Sequence, residues 1–494
     1  MNSYIGIDLG TSAVKLLLMA ADGSVLKTIS RSYPCATPKP GWSEQHPEDW
    51  YRETMAGLHD LLEGQNKQAV QGLSFGGQMH GLVLLDAQDH VIRPAILWND
   101  GRTGAETDYL NNVIGREKLT ACTGNIAFAG FTAPKLLWLQ KHEPENFRKI
   151  EKVMLPKDYL CYRLTGVHCT DPSGASGMLL LDVKNRCWSE EMIRICGIRR
   201  EMLPRVYESY EAVGLMKPEL AAELGLEAVT VAAGAGDNAA AAIGTGCTQE
   251  GQCNISLGTS GTVFIPMEQF HVDGANALHS FAHANGKYHL MGCILSAASC
   301  GKWWLEDILG TEDYDSEQTH FTTDGENHVY FLPYLSGERS PHNDVNARGV
   351  FWGMRKDTTR SEMTQAVYEG VSFALRDCLE VAWNVGVCPE TVTLCGGGAK
   401  SAKWRQILAD VLDTEILIPE AEEGPALGGA MLAAVACGEY ENVEVAGAQL
   451  VKFRETVSPN RSAAERYEQR YQFFQNLYPV LRELFRRAAE LEKS

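Results

Sequence analysis

The chain has 494 residues, 45% hydrophobic and 22% charged; that length implies two to four domains, and the composition excludes a fibrous or largely disordered protein. Its 44 basic and 63 acidic residues give a net charge of -19, which excludes a sequence-independent grip on nucleic acid or on an anionic membrane, so any anionic ligand must be held by local features. Fourteen cysteines without zinc spacing, no N-terminal signal and no apolar run near 20 residues predict a reduced, cytoplasmic chain with neither disulfide scaffold, structural metal site nor membrane span.

Residues 4–32 read as three short strands, with Asp22-Gly23 as the hairpin turn between the second and third. Pro47 then opens a helical stripe of Tyr51, Thr54, Met55, Leu58, Leu61 and Leu62 that Gly64 ends. Residues 70–75 and 83–97 add strands, and 105–225 are mostly helical with loops. This order defines a mixed α/β domain.

An internal echo organises the rest. Ile7-Asp8-Leu9-Gly10-Thr11-Ser12 reappears as Ile255-Ser256-Leu257-Gly258-Thr259-Ser260, each copy after strand-like residues. In each, the glycine permits close approach of a ligand, and successive N–H groups with two hydroxyls can face phosphate oxygens. A plain strand-turn motif is the alternative. Two halves, each with its own turn, suggest two related domains facing one cleft, divided as 1–248 and 249–494.

In the second half, Thr359-x-x-Glu362 is a capping box for a helix with the stripe Met363, Ala366, Val367, Val371, Ala374, Leu375 and Leu379. A buried strand at 391–395 runs through Gly396-Gly397-Gly398-Ala399-Lys400 into another helix, and these glycines match neither the P-loop nor the Rossmann fingerprint. Gly424-Pro425-Ala426-Leu427-Gly428-Gly429-Ala430 opens a small-residue helix, explained by close backbone packing or by a flat adenine ring. Residues 463–491 form an amphipathic helical tail docked on the body.

Four places can carry chemistry. Asp237, within Gly234-Ala235-Gly236-Asp237-Asn238, is either the cap of the alanine-rich helix that follows or a placed base, and the two roles are compatible. Asp8 ends the first strand beside the first turn and is replaced by Ser256 in the second copy, so one carboxylate is available for Mg2+ on nucleotide oxygens, directly or through water; Lys15 either neutralises phosphate or faces solvent. Met79 and His80 are either core packing or ligands. Trp98-Asn99-Asp100-Gly101-Arg102 suits a polyol with an aromatic wall, or is a turn held by its own side chains.

Longer segments carry a resemblance. Gly130-Phe131-Thr132-Ala133-Pro134-Lys135-Leu136-Leu137-Trp138-Leu139 resembles one signature of the FGGY family of carbohydrate kinases, and Gly349-Val350-Phe351-Trp352-Gly353-Met354 with Glu362-Met363 and Ala366-Val367-Tyr368-Glu369 resembles the other. Gly77-Gln78-Met79-His80-Gly81, Leu97-Trp98-Asn99-Asp100-Gly101-Arg102 and Ser336-Gly337-Glu338-Arg339-Ser340-Pro341-His342 are similar to its pentulose-kinase branch rather than to glycerol or gluconate kinases. The resemblance implies two RNase H-like domains in the actin/hexokinase-like ATPase arrangement around a central cleft, with sugar mainly on the first and ATP on the second. It implies phosphoryl transfer from ATP to O5 of D-xylulose, with L-xylulose, ribulose or a polyol as other acceptors and an actin- or chaperone-like ATPase as the competing class. By the same carry-over Asp237 is the base and Asp8 supports Mg2+, while Met79, His80, Trp98 and Asn238 meet the sugar. Thr11, Ser12, Lys15, Thr259 and Ser260 hold phosphates, Gly397, Gly398 and Gly428 border adenosine, and the assembly expected is a homodimer.

Overall fold

The computed structural model of the chain describes residues 1–322, 324–421 and 423–491. Its first half builds a sheet from β1 (Ser3–Leu9), β2 (Ala13–Ala20), β3 (Val25–Ser32), β4 (Val70–Gly77), β5 (Ala212–Leu215), β6 (Thr230–Ala232) and β7 (Ala235–Gly236). The order is β5-β6-β4-β1-β2-β3, with β7 paired to β4 beyond the end of β6. β1, β2 and β3 form an antiparallel meander, while β4 runs parallel to β1 and β6 parallel to β4. Gly23 supplies the positive φ of +87° that the β2–β3 turn requires. Helix α1 (Pro47–Leu62) covers β2 and β3, burying the expected stripe except Tyr51, which is half-buried, and ending before Gly64, also at positive φ.

Residues 79–203 are mostly helical and add a second core that includes α2 (Thr132–His142) and reaches Phe281, Ala282 and Met291 of the second half, while Tyr159, Leu160 and Leu164 pack into the core of the first sheet. β7 then leads directly into α3 (Asp237–Gly244).

The second half repeats the plan with β8 (Gln252–Leu257), β9 (Gly261–Met267), β10 (His279–Ala282), β11 (Tyr288–Ile294), β12 (Thr391–Cys395), β13 (Ile416–Pro419) and β14 (Phe453–Val457), ordered β10-β11-β9-β8-β12-β13-β14. Again β8 is antiparallel to β9 and parallel to β12. The paths β3-β2-β1-β4-β6 and β11-β9-β8-β12-β13 are therefore equivalent, and the echo marks the first hairpin of each. These are two RNase H-like domains in the actin/hexokinase-like ATPase arrangement. The capping box at Thr359 and Glu362 opens α4 (Arg360–Asn384), Ser401 caps α5 (Ala402–Leu412), and α6 (Gly424–Ala436) follows β13. The tail, α7 (Arg461–Leu491), docks through Tyr467, Tyr471 and Phe474, and its Arg470 meets Glu369 of α4 at 2.8 Å.

Helix α6 belongs to the second half by sequence, yet it packs on β1, β4 and α3 of the first. Small residues make this possible. A Cβ on Gly6 would lie 1.8 Å from the Ala426 carbonyl oxygen, and one on Gly428 would lie 1.9 Å from that of Ala240. Of the two explanations for the small residues of 424–430, the structure shows close backbone packing. No helix among the described residues is long and apolar enough to cross a membrane.

Candidate active site

Both echo turns point their carbonyls into the protein. Gly10 O accepts from Gln78 Nε2 at 3.3 Å and from the Tyr33 hydroxyl, Thr11 O from Gln45 Nε2 at 2.6 Å, and Ser12 O from Tyr33 N at 3.3 Å. In the second turn Gly258 O accepts from Ala298 N at 2.9 Å, and Thr259 O from Ala297 N at 2.9 Å and Ser299 Oγ at 2.7 Å. The amides of Thr11, Ser12, Thr259 and Ser260 have no acceptor among the described residues. With carbonyls occupied and N–H groups open, each turn is chemically an anion cradle.

Asp237 opens α3 at its first helical position, after Gly236. Its Oδ1 accepts from Asn238 N at 2.8 Å and Asn238 Nδ2 at 3.0 Å, which fixes the carboxylate and leaves Oδ2 without a donor among the described residues. Burial raises its pKa to about 6 against the pull of those two hydrogen bonds. That is a base poised near neutrality. Behind it, Lys157 bridges Asp158 and Asp171 at 2.7 Å each, Asp171 binds the Ser173 hydroxyl, and Ser173 Oγ accepts Gly236 N at 3.0 Å.

Asp8 is half-buried at the tip of β1, and its pKa is pushed up to about 7 by burial first and then by the Asp237 charge, against Lys15. Lys15 neither faces solvent alone nor stands free for phosphate: its Nζ pairs with Glu423 at 2.8 Å, at the start of α6. Among the described residues no group of three or more His, Cys, Asp or Glu side chains could hold a metal by itself. One or two carboxylates carrying excess negative charge beside an anion cradle still fit Mg2+, which keeps several waters and takes its other oxygens from phosphate.

His80 sits at φ +68°. Its Nδ1 lies 2.7 Å from the Gly177 carbonyl, which can only accept, so the proton is on Nδ1 and Nε2 is an acceptor. Burial lowers its pKa to about 3, so the ring is neutral. The first signature segment explains this posture: Phe131 stacks on the imidazole at 4.6 Å, while Thr132 Oγ1 and Lys135 Nζ donate to the His80 carbonyl at 3.0 and 2.9 Å. Met79 is packed against Gly236, where a Cβ would meet its Cγ and Sδ at 3.0 Å, so it spaces His80 from Asp237.

The polyol reading of 98–102 is corrected in part. Asp100 and Arg102 are buried and spent on each other at 2.6 Å, with Ser43 N on Asp100 at 2.6 Å and Arg102 over Trp42 at 3.6 Å. This is the turn alternative. Trp98 Nε1 donates to Thr11 Oγ1 at 2.9 Å, which ties this loop to the first anion cradle and leaves the ring 38% exposed.

On the second half a cavity of about 550 Å³ lies between the Thr259 turn and the glycine loop. Gly397 faces open space, and Gly398 is pressed between Trp404 and Leu257. Tyr368 and Trp404 form its aromatic side at 4.8 Å and 77°, and Gln318 links Tyr368 to Ser401. A second hollow of about 200 Å³ shares Gly397 and Lys400 and reaches Lys15 and Glu423. Gly428 lies away from both, in the α3–α6 contact, because the Ala240 carbonyl occupies the space beside it. Tyr314, Gln318 and Ser401 were not legible as site residues, since segments far apart in sequence bring them together. The Lys157-Asp158 pair was a readable signal, two opposite charges inside an apolar run.

Two turns, a poised base and an adenosine-sized cavity define a phosphotransferase of the two-domain ATPase class. The model of the FGGY family of carbohydrate kinases, N-terminal domain, matches residues 3–244 and that of its C-terminal domain residues 253–437; the chain belongs to this family, whose members use ATP to phosphorylate carbohydrates. It is 42% identical to the xylulose kinase of Escherichia coli (strain K12) over 482 residues, 97% of this chain and 99% of that protein. Among solved structures it resembles a xyloylose kinase from Brucella ovis, with TM-score 0.94 and 39% identity over 98% of this chain and 100% of that one. It also resembles a gluconate kinase from Lactobacillus acidophilus, with TM-score 0.92 and 27% identity over 97% of this chain and 98% of that one.

Proposed function

We propose that the chain transfers the γ-phosphoryl group of ATP to O5 of D-xylulose, giving D-xylulose 5-phosphate and ADP. The observation that carries this reading is Asp237, a fixed carboxylate with one free oxygen and a pKa near 6, at the same sheet tip as an anion cradle. The xylulose kinase relatives support the choice of acceptor.

The sugar binds on the first half, residues 1–248, with His80 Nε2 accepting one of its hydroxyls and Trp98 and Phe131 walling its carbon face. Adenosine occupies the cavity beside Gly397 and Gly398 on residues 249–494, and the amides of Thr11, Ser12, Thr259 and Ser260 with the hydroxyls of Ser12, Thr259 and Ser260 donate to phosphate oxygens. Asp237 Oδ2 takes the O5 proton as O5 bonds to the γ-phosphorus, and the bond from that phosphorus to the β,γ-bridging oxygen breaks in line. ADP leaves and the proton passes from Asp237 to solvent. Asp8 would hold Mg2+, whose charge neutralises the phosphate oxygens when bound. Positioning and charge neutralisation supply most of the acceleration. Fourteen free thiols suit the cytoplasm, and the proposed assembly is a homodimer.

A coupled ADP-release assay with Mg-ATP and D-xylulose, L-xylulose, D-ribulose, L-ribulose, glycerol and gluconate tests the reading. Turnover on D-xylulose well above the others supports it. Preference for another acceptor, or ADP release indifferent to all six, refutes it.

A further inference from the structure

The segment Ser336-Gly337-Glu338-Arg339-Ser340-Pro341-His342 has no part in the chemistry above. It belongs to the second half, yet the Arg339 guanidinium lies 5.3 Å from the ring centroid of Phe128. Phe128 packs on Phe131 at 5.4 Å, and Phe131 stacks on His80. Arg339 thus borders the same aromatic wall as the sugar histidine, from the opposite domain. Its charge reaches His80 and His279, whose protonation it disfavours.

The backbone that carries Arg339 is fixed. Glu338 Oε1 accepts from Leu295 N at 2.8 Å and from Arg339 N at 2.7 Å, while Ser340 N donates to Cys293 O at 3.0 Å and Ser340 Oγ to Ala277 O at 2.8 Å. The guanidinium itself is half-buried and, among the described residues, makes no ion pair and no hydrogen bond. A cation so placed is costly unless something pairs with it.

The first half's polar groups show what is missing. His80 Nε2 accepts, its Nδ1 proton being used on Gly177. Asp237 accepts, and one of the two Asn238 Nδ2 protons is spent on it. Trp98 Nε1 is spent on Thr11, Gln78 Nε2 on Gly10 and Gln45, and Lys135 on two backbone carbonyls. His279 Nε2 has no partner but is sealed from solvent. Such a wall reads hydroxyls, which can donate to it. A ketone oxygen only accepts, and these side chains leave it few donors, the second Asn238 Nδ2 proton among them, and no free cation.

We propose that Arg339 donates to the carbonyl oxygen of the ketose and to the oxygen of a neighbouring hydroxyl, and that this contact sets the preference for ketose over polyol. The inference rests on the ketose-kinase reading above. The planar fork of a guanidinium matches two adjacent oxygens in the plane of a carbonyl, whereas the tetrahedral carbon of the reduced sugar displaces one of them and adds a hydroxyl proton facing the cation.

The test compares kcat/KM for D-xylulose with that for xylitol and D-arabinitol, its two C2-reduction products, in wild type, Arg339→Met, Arg339→Gln and Arg339→Lys, with KM for ATP and Tm as controls. A site built around one polar contact loses at least about 10-fold in discrimination when the contact goes. The expected result is a rise of about 10-fold or more in KM for D-xylulose in Arg339→Met and Arg339→Gln, with pentitol and ATP constants changed less than about 3-fold, and a smaller rise in Arg339→Lys. Equal losses on ketose and pentitols, or a loss confined to the ATP constants, overturn the inference. A wild type that prefers a different ketose refutes the substrate reading alone, and the same ratio is then read on that ketose and its own alditols. A wild type equally active on ketose and pentitols overturns the inference and leaves the kinase intact. Should Arg339→Met fail to fold, the glutamine and lysine variants, which keep a polar end on the side chain, give the same ratio.

Discussion

Asp8 and Asp237 flank one strand: Asp8 pairs with Gly76 on one edge of β4, and Gly236, the residue before Asp237, pairs with Gly77 on the other. Two glycines at the tip of β4 place no side chain between the carboxylates, and the charge of Asp237 helps hold Asp8 in its protonated form. With two acids side by side and Lys15 paired to Glu423, the site carries excess negative charge that a cation would offset.

Asp237→Asn keeps the two hydrogen bonds from Asn238 within reach but cannot take a proton. Turnover should fall by about 1000-fold or more, the range of general-base catalysis, while calorimetric ATP binding and Tm stay near wild type. Near-normal turnover would reduce Asp237 to a helix-start residue.

The pH profile follows from the direction of the shift. Asp237 acts only when deprotonated, and burial has raised its pKa to about 6. Initial rates at low D-xylulose should therefore rise with pH, with a midpoint near 6, and level off above 7. A profile flat from pH 5 to 8 would contradict the assignment.

Asp8→Asn should separate stability from activity. In the folded protein Asp8 holds its proton to about pH 7, against an ordinary carboxyl value of 3.8, so between these values the native state binds more protons than the unfolded chain. Stability therefore falls as pH rises through that window. The asparagine variant loses this slope, and after discounting for partial exposure it should be about 1–2 kcal/mol more stable than the ligand-free wild type at pH 8 and equal to it near pH 4. Urea denaturation at the two pH values reads the difference, and turnover should be nearly abolished.

Lys135→Met removes a donor from the His80 carbonyl without touching any ligand. The expected signature is a rise in KM for the sugar of about 10-fold, an unchanged KM for ATP, and a stability loss of about 1–3 kcal/mol from the buried carbonyl. An equal rise in both KM values would mean general loosening instead.

Gly6→Ala drives a Cβ into the Ala426 carbonyl, 1.8 Å away and on rigid backbone. It should cost about 3 kcal/mol or more, because α6 must lift from β1. Gly104→Ala, which meets nothing within 4 Å, is the control and should be neutral in thermal denaturation.

Much of this was legible from the residues. The hairpin at Asp22-Gly23, the capping box at Thr359 and Glu362 and the two equivalent turns follow from local chemistry, which sequence displays directly. The helix of 424–436 shows the boundary of that legibility. Its glycines announced close approach, but only the tertiary structure shows that the partner is the first domain's backbone. Asp100 and Arg102 looked like ligands because a charged cluster at a strand end has the same composition whether it faces a sugar or itself. Tyr314 and Gln318 gave no signal, since a five-residue helix brings them to Tyr368 and Ser401 across long sequence separations.

The most direct measurement is 31P NMR of the product formed from Mg-ATP and D-xylulose labelled with carbon-13 at C5. Phosphoryl transfer to O5 under Asp237 predicts one new phosphomonoester signal, split by the label, growing in step with ADP in wild type and missing with Asp237→Asn. Inorganic phosphate in place of the ester, an ester signal unsplit by the label, or an Asp237→Asn variant that makes the same product at a similar rate would contradict it.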